Sequence, residues 1–358
     1  MTSNFPSGVS SFGMPVLPGV GIPFTGNVFF VDPVNGNDGN DGASSEVGRA
    51  FQTLYRAHGA CVAGHNDVVF LIANGATSGA ARLSLAGAVA EAARIGAAVP
   101  TTGKLIWSKN ATHLIGICAP NGIAARARIA APSGTYTAAT FGGNDFVSVT
   151  AAGCMFQNFT VQDAFSTGNA AQRLWIDTGE RNYYDTVHFD GQLTAAAAAA
   201  AASRSLVIDG GGAGVTKGEH KFVNCTIGGD TVLKNTAANA SLEFLGTTPR
   251  NSFYNCVFPM WSSYAGSLFV LTTGATAIDR FVIFEDCKFI EALKSASGVT
   301  QTVVMSCDNA APGGLILIHN CIMIGDVNIN WGNAAALSVQ FVQGAFAAAT
   351  TGLGIAPT

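Results

Sequence analysis

A six-residue phrase recurs down the second half of the chain, and its period limits the fold more than any other feature. The phrase is an aromatic or aliphatic residue, any residue, Asn or Asp, Cys, any residue, then an apolar residue. It reads Phe222-Val223-Asn224-Cys225-Thr226-Ile227, Phe253-Tyr254-Asn255-Cys256-Val257-Phe258, Phe284-Glu285-Asp286-Cys287-Lys288-Phe289 and Ile318-His319-Asn320-Cys321-Ile322-Met323. The cysteines lie 31, 31 and 34 residues apart. Degenerate copies, Phe156-Gln157-Asn158-Phe159-Thr160-Val161 and Tyr184-Asp185-Thr186-Val187-His188-Phe189, bring the total to six. A fixed period of this size marks a repeat architecture, in which no unit buries its apolar face until a neighbour stacks on it.

A second phrase precedes each copy of the first from residue 173 onward, as in Arg173-Leu174-Trp175-Ile176-Asp177, Ser205-Leu206-Val207-Ile208-Asp209 and Ser267-Leu268-Phe269-Val270-Leu271. One coil therefore holds two or three short strands separated by turns. The Val, Thr and Phe content and two-residue alternation exclude helical repeats. Hairpin signals are sparse, which argues against propeller blades. The pattern predicts an all-β fold, a right-handed parallel β-helix over 111–345.

Ahead of it, residues 1–27 read as an extended arm, because Pro15, Pro18 and Pro23 fix backbone angles and remove donors. Its apolar residues Phe5, Phe12, Met14, Leu17 and Phe24 are anchors that need a surface to bury against. Residues 28–110 read as a small α/β capping region over the open end of the solenoid. That region holds the strand 28–31, a helical pattern over 50–62, a buried strand at 68–72 and an Ala-rich helix or insertion over 80–99. Its Asp/Asn/Gly run at 32–42 misses the EF-hand frame and reads as turn chemistry. A poly-Ala run at 195–202 reads as an outward helical excursion.

Charged residues are only 11% of the 358, against roughly 25% in typical soluble domains. A surface so poor in charge predicts cover by partners. The mean hydropathy of +0.33 comes from many short apolar runs, none reaching the roughly 18 residues of a spanning helix. The first residues show no basic-then-apolar signal peptide. The net charge is −4, with no Lys or Arg beyond Lys294 and no basic patch for nucleic acid. After Asp326 no charged residue occurs at all, so the last coil and the tail 346–358 predict an apolar end buried against other subunits.

Equivalent residues of successive coils stand about 4.8 Å apart in a parallel stack. Asn158, Asn224, Asn255, Asp286 and Asn320, with Thr186 in one gap, then form a structural ladder along a tight buried corner, their amides bonding to the turn backbone and to one another. Cys225, Cys256, Cys287 and Cys321 form a column of buried free thiols rather than disulfides. Cys61, Cys118, Cys154 and Cys307 sit singly in apolar contexts and read the same way.

Glycoside hydrolysis needs two carboxylates roughly 5–9.5 Å apart. The columns flanking the ladder place no two carboxylates in adjacent coils. Asp185 with His188, and Glu285 with Lys288, read as surface pairs. No nucleophile elbow, zinc helix or phosphate loop is present in the sequence. The residues themselves assign no catalytic, metal or cofactor site.

The chain resembles the pectate-lyase-like right-handed β-helix proteins of tailed bacteriophages. The likeness lies in an Asp followed by Gly/Asp turns (Asp32, Gly36, Asp38, Gly42), then Phe51-Gln52-Thr53-Leu54 and Asn66-Asp67-Val68-Val69-Phe70, where Asn66 replaces the usual Gly. It continues through Asn110-Ala111-Thr112-His113-Leu114-Ile115-Gly116-Ile117 and the Asn ladder, over most of 28–345. The acidic calcium cluster and catalytic Arg of pectate lyases have no match here. Within that resemblance, the compact size, Pro/Gly arm, low charge and charge-free end point to a non-enzymatic virion protein made in the host cytoplasm, a capsid decoration (cement) protein on the capsid surface. The resemblance further implies a homotrimer anchored by its arm to the major capsid protein or other virion proteins, with no cofactor, nucleic acid or membrane involved. The competing expectation is a tailspike-type polysaccharide depolymerase or a host-glycan adhesin, since one such fold serves many functions.

Overall fold

In the computed structural model the chain coils through three parallel sheets. The structure describes residues 25–46, 48–73, 104–130, 145–162, 171–191, 200, 202–211, 217–234, 239–264, 266–273, 277–292 and 314–325, plus the backbone of strands at 10–11, 14–15, 305–307 and 339–341. The arm anchors Phe5, Phe12, Leu17 and Phe24, the side chains of Met14 and Cys307, the Ala-rich segment 80–99, most of the poly-Ala run and the tail 346–358 lie outside the described residues.

Sheet I has ten strands, from Val28–Val31 and Asp67–Ile72 through Thr112–Ile117 and Lys221–Val223 to Val339–Phe341. Sheet II has seven, from Arg128–Ala130 through His188–Gly191 to Ile322–Ile324, and sheet III has seven, from Leu105–Trp107 through Arg204–Asp209 to Met305–Cys307. Each coil visits sheet III, then I, then II, and each strand pairs in parallel with its equivalent one coil on. The second phrase supplies sheet III, except that its last copy, Leu337 to Phe341, falls in sheet I; the first begins in sheet I and ends in sheet II. The two strands 28–31 and 67–72 continue sheet I without a break, and the helix Leu54–Ala60 packs Leu54 and Ala57 into the same core. Thr53 caps that helix, its hydroxyl accepting from the Arg56 amide.

Alternation sends the first, fourth and sixth residues of the phrase inward. In sheet I this stacks Phe156, Tyr184, Phe222, Phe253 and Phe284, with ring centroids 4.9, 4.5, 4.6 and 4.9 Å apart. Those distances equal the strand spacing, so each ring lies almost parallel over the ring of the coil before it. Phe258 and Phe289 repeat the motif in sheet II at 4.7 Å. Trp107 and Trp175 fill the space toward sheet III, edge-on to Phe156.

From Asn158 onward the turn from sheet I to sheet II centres on a single residue in the left-handed region. Asn158, Thr186, Asn224, Asn255, Asp286 and Asn320 all have φ between 50° and 58°. Asn and Asp tolerate that conformation best among residues with a side chain, which is the physical reason for the repeated Asn. A second left-handed column turns the chain into sheet I: Ala111, Gly153, Arg181, Glu219, Arg250 and Arg280. There the charged side chains reach across coils, Arg181 Nε donating to Glu219 at 2.7 Å and Arg250 donating to the same carboxylate.

Inside that second corner lies a buried ladder of side-chain acceptors. The Cys154 amide donates to Asn182 Oδ1 at 2.8 Å, the Asn182 amide to His220 Nδ1 at 3.2 Å, and the His220 amide to Asn251 Oδ1 at 3.0 Å. The corner into sheet III repeats the device, with Gln172 N–H donating to Ser203 Oγ and Ser203 N–H to Asn239 Oδ1. Each coil thus satisfies a corner amide of the one before it, which a buried backbone requires.

Candidate functional site

The Asn ladder stands on an exposed corner, not a buried one: Asn224, Asn255, Asp286 and Asn320 are solvent-facing, and Asn158 and Thr186 half-buried. A one-residue left-handed turn pushes its side chain outward while the next residue, the Cys, turns in. Asn255 Nδ2 donates to Asn224 Oδ1 at 2.8 Å and Asn320 Nδ2 donates to Asp286. At the first coil Asn158 Nδ2 instead donates to the Gly116 and Cys118 carbonyls at 3.0 and 2.9 Å. Cys225, Cys256 and Cys287 are fully buried free thiols, and burial pushes the Cys256 thiol well above its usual value. Cys321, in the last described coil, is only half-buried.

The flanking columns pair differently from the sequence expectation. His188 does not meet Asp185, because consecutive sheets point them to different faces; it lies 3.7 Å from Asp190 on sheet II. Glu285 pairs with His319 one coil on, at 3.1 Å, rather than with Lys288. The Asp/Gly turns at 32–42 are internally satisfied. Asp32 accepts from Val34 and Asn35, Asp38 accepts from Gln52 and Thr53, and Asp41 pairs with Arg49. Among the described residues no three His, Cys, Asp or Glu side chains converge to hold a metal ion.

One cleft gathers titratable groups. The segment 118–127, between sheet I and sheet II of an early coil, lies across the outer face of sheet II and reaches coils far along the chain. Ala124 N–H donates to His188 Nδ1 at 2.9 Å, and Thr226 Oγ1 donates to the Gly122 carbonyl at 2.5 Å. Arg128 braces the segment by donating to the Ala124 and Ala125 carbonyls. Beside it opens a cavity of ≈ 260 Å³ with Ile123 and Pro259 as apolar walls and Gln162, His188, Asp190 and Asp230 as polar ones. This is just below the range of about 300–1,000 Å³ usual for small-molecule sites.

Asp190 is buried, and loss of solvent pushes its carboxyl above the usual carboxylate range. Gln162 Nε2 donates to its Oδ2 at 3.1 Å. Asp230 is exposed at the rim, and its charge further favours the protonated form of Asp190. His188 is buried and held neutral by burial. Its Nδ1 lone pair is occupied by the Ala124 amide, while Nε2 faces the Gly228 carbonyl at 3.2 Å. Burial and Asp230 favour the protonated form of Asp190, whereas a general base needs a lone pair free to reach substrate, and His188 has committed its own. Sequence reasoning passed over this cleft. Residues 123, 162, 190 and 230 share no motif and meet only through the coiling.

No protein-family model and no curated protein matches the chain. Solved structures do. Pectate lyase Pel9A superposes with a TM-score of 0.54 at 14% identity, covering 88% of this chain and 68% of that one. A pectin methylesterase solved with a hexasaccharide gives 0.51 at 14% identity, covering 85% and 80%. Pectin methylesterase PemA from Erwinia chrysanthemi gives 0.50 at 12% identity, with the same coverage of 85% and 80%. At such identities the likeness is one of fold: the chain is a parallel β-helix, as these neighbours are.

Proposed function

We propose that this chain is a structural protein of a bacteriophage virion, a β-helical decoration (cement) subunit that binds the capsid surface through its N-terminal arm and packs against copies of itself. The observation that carries the reading is the use made of its polar side chains. At the corners and in the Asp/Gly turns many of them are bonded into the stack, as His188 in the cleft is through both ring nitrogens, which builds a rigid post. A surface with few charges and an apolar arm and tail supports assembly with other subunits. Cryo-electron microscopy of the native particle tests it. Density repeated at capsomer or three-fold positions, lost when residues 2–24 are deleted, is the expected result; a few copies confined to the tail would overturn it.

The cleft favours a second reading, a glycan-cleaving or glycan-binding protein, because Asp190 is a buried carboxyl whose proton affinity is raised by burial and by the exposed Asp230 beside it. Release of reducing ends from host envelope polysaccharide, abolished by Asp190→Asn, would establish it.

A further inference from the structure

Four of the six histidines do the same unusual job. His58 Nε2 accepts from the Ser108 amide at 3.2 Å, His113 Nδ1 from the Met155 amide at 3.1 Å, His188 Nδ1 from the Ala124 amide at 2.9 Å, and His220 Nδ1 from the Asn182 amide at 3.2 Å. Each bond joins segments 38 to 64 residues apart, so each ties one part of the stack to another. All four rings are buried. The remaining two, His65 and His319, are more exposed and face the carboxylates of Asp67 and Glu285.

An imidazole accepts a hydrogen bond only through an unprotonated nitrogen. We propose that the solenoid is acid-sensitive by construction: His58, His113, His188 and His220 hold its coils together only while neutral, and their protonation loosens the stack at four separate points. A proton placed on the accepting nitrogen turns it into a donor aimed at an amide donor, and the bond becomes a repulsion.

The surrounding charges oppose one another. Lys109 lies beside His58, Asp67 near His113, and Asp177 and Glu180 near His220; Asp190, Asp230 and Arg128 surround His188. The carboxylates favour protonation, but burial is the larger effect at every one of the four. Each is held below the usual 6.5, His58 down to about 4. The open or unfolded chain takes up protons near pH 6.5 while the native rings do not, so native stability is complete above that pH and falls as pH drops toward the depressed native values. Each histidine contributes about a tenfold loss in the closing equilibrium per pH unit.

The chain supplies its own control. In the corner ladder the positions one coil before and one coil after His220 are Asn182 and Asn251, whose Oδ1 atoms accept equivalent amides. His220→Asn therefore keeps an acceptor and removes the titration. The experiment is hydrogen exchange of the full chain, with the Asn182 amide read as protection relative to free peptide at each pH from 7.5 to 5. Protection in the parent should fall as pH drops below 6.5, by up to about tenfold per unit, and stay level in the variant. His188→Asn, read at Ala124, repeats the test at a second, independent site on sheet II. Protection that is independent of pH in the parent, or that falls equally in parent and variants, would overturn the proposal.

Discussion

The corner between sheets I and II shows how one backbone angle dictates residue choice. Five of six occupants are Asn or Asp, and the sixth, Thr186, holds φ at 54° with a β-branched side chain. A left-handed conformation costs an ordinary L-residue roughly 1–2 kcal/mol, and branching at Cβ adds crowding. Thr186→Asn should therefore raise the stability of the full chain by about 1 kcal/mol, and Asn255→Val should lower it by about 1–2 kcal/mol. Urea midpoints of the two variants check both signs; a Val at 255 that costs nothing would mean the corner relaxes to another turn. The Asn255–Asn224 bond is solvent-exposed and contributes little, so Asn255→Gly should lie much closer to the parent than Asn255→Val.

At the scale of the element, sheet I is held by its column of rings. Phe253 sits between Phe222 and Phe284 at 4.6 and 4.9 Å and touches the edges of Phe244 and Phe258. Truncating it removes contacts to the coils on both sides at once, and Phe253→Ala should cost about 3–5 kcal/mol, with Phe253→Leu costing clearly less. The check is the same denaturation midpoint, and equal losses for Ala and Leu would mean that the cavity collapses. This column was legible in the sequence because the phrase repeats an inward aromatic at a fixed place beside a distinctive Asn-Cys pair. The opposite corner was not. Its left-handed residues are Ala111, Gly153, Arg181, Glu219, Arg250 and Arg280, none of them Asn or Asp; their conformation is set by where the neighbouring coil's carbonyl lies, as Arg181 N–H donates to the Gly218 carbonyl and Glu219 N–H to that of Pro249. The buried ladder of Asn182, His220 and Asn251 was hidden for a related reason, since Asn and His look unrelated until both are seen to present an acceptor to the same amide. The cleft is further still from the linear pattern, because Ile123 meets His188 and Asp230 only after the chain has wound through several coils.

At the scale of the whole molecule, stability is a sum of coils and the contacts between them, not the product of one closed core. Register is carried by equivalent positions: Phe253 faces Phe284, and Phe284 faces Ile318; Val257 faces Lys288, and Lys288 faces Ile322. Deleting 257–287 joins Cys256 to Lys288 and removes one full coil. Phe253 then meets Ile318 and Tyr254 meets His319, pairs of the same inward and outward sense as those they replace, and Asn255 stands before Asn320 at the corner. The shortened chain should remain folded, with the same far-ultraviolet circular dichroism per residue and a cooperative transition at a modestly lower denaturant concentration. Deleting 257–271 alone provides the contrast. It joins the sheet II corner to a point inside sheet III, reversing the inward and outward faces of the strand beyond the junction, and a single slip of that kind sends the apolar set to solvent. That variant should aggregate or stay unfolded. If the full-coil deletion collapsed as completely as the partial one, the coils would not be exchangeable units, and the period of the sequence would reflect something other than the additive stack that the three sheets describe.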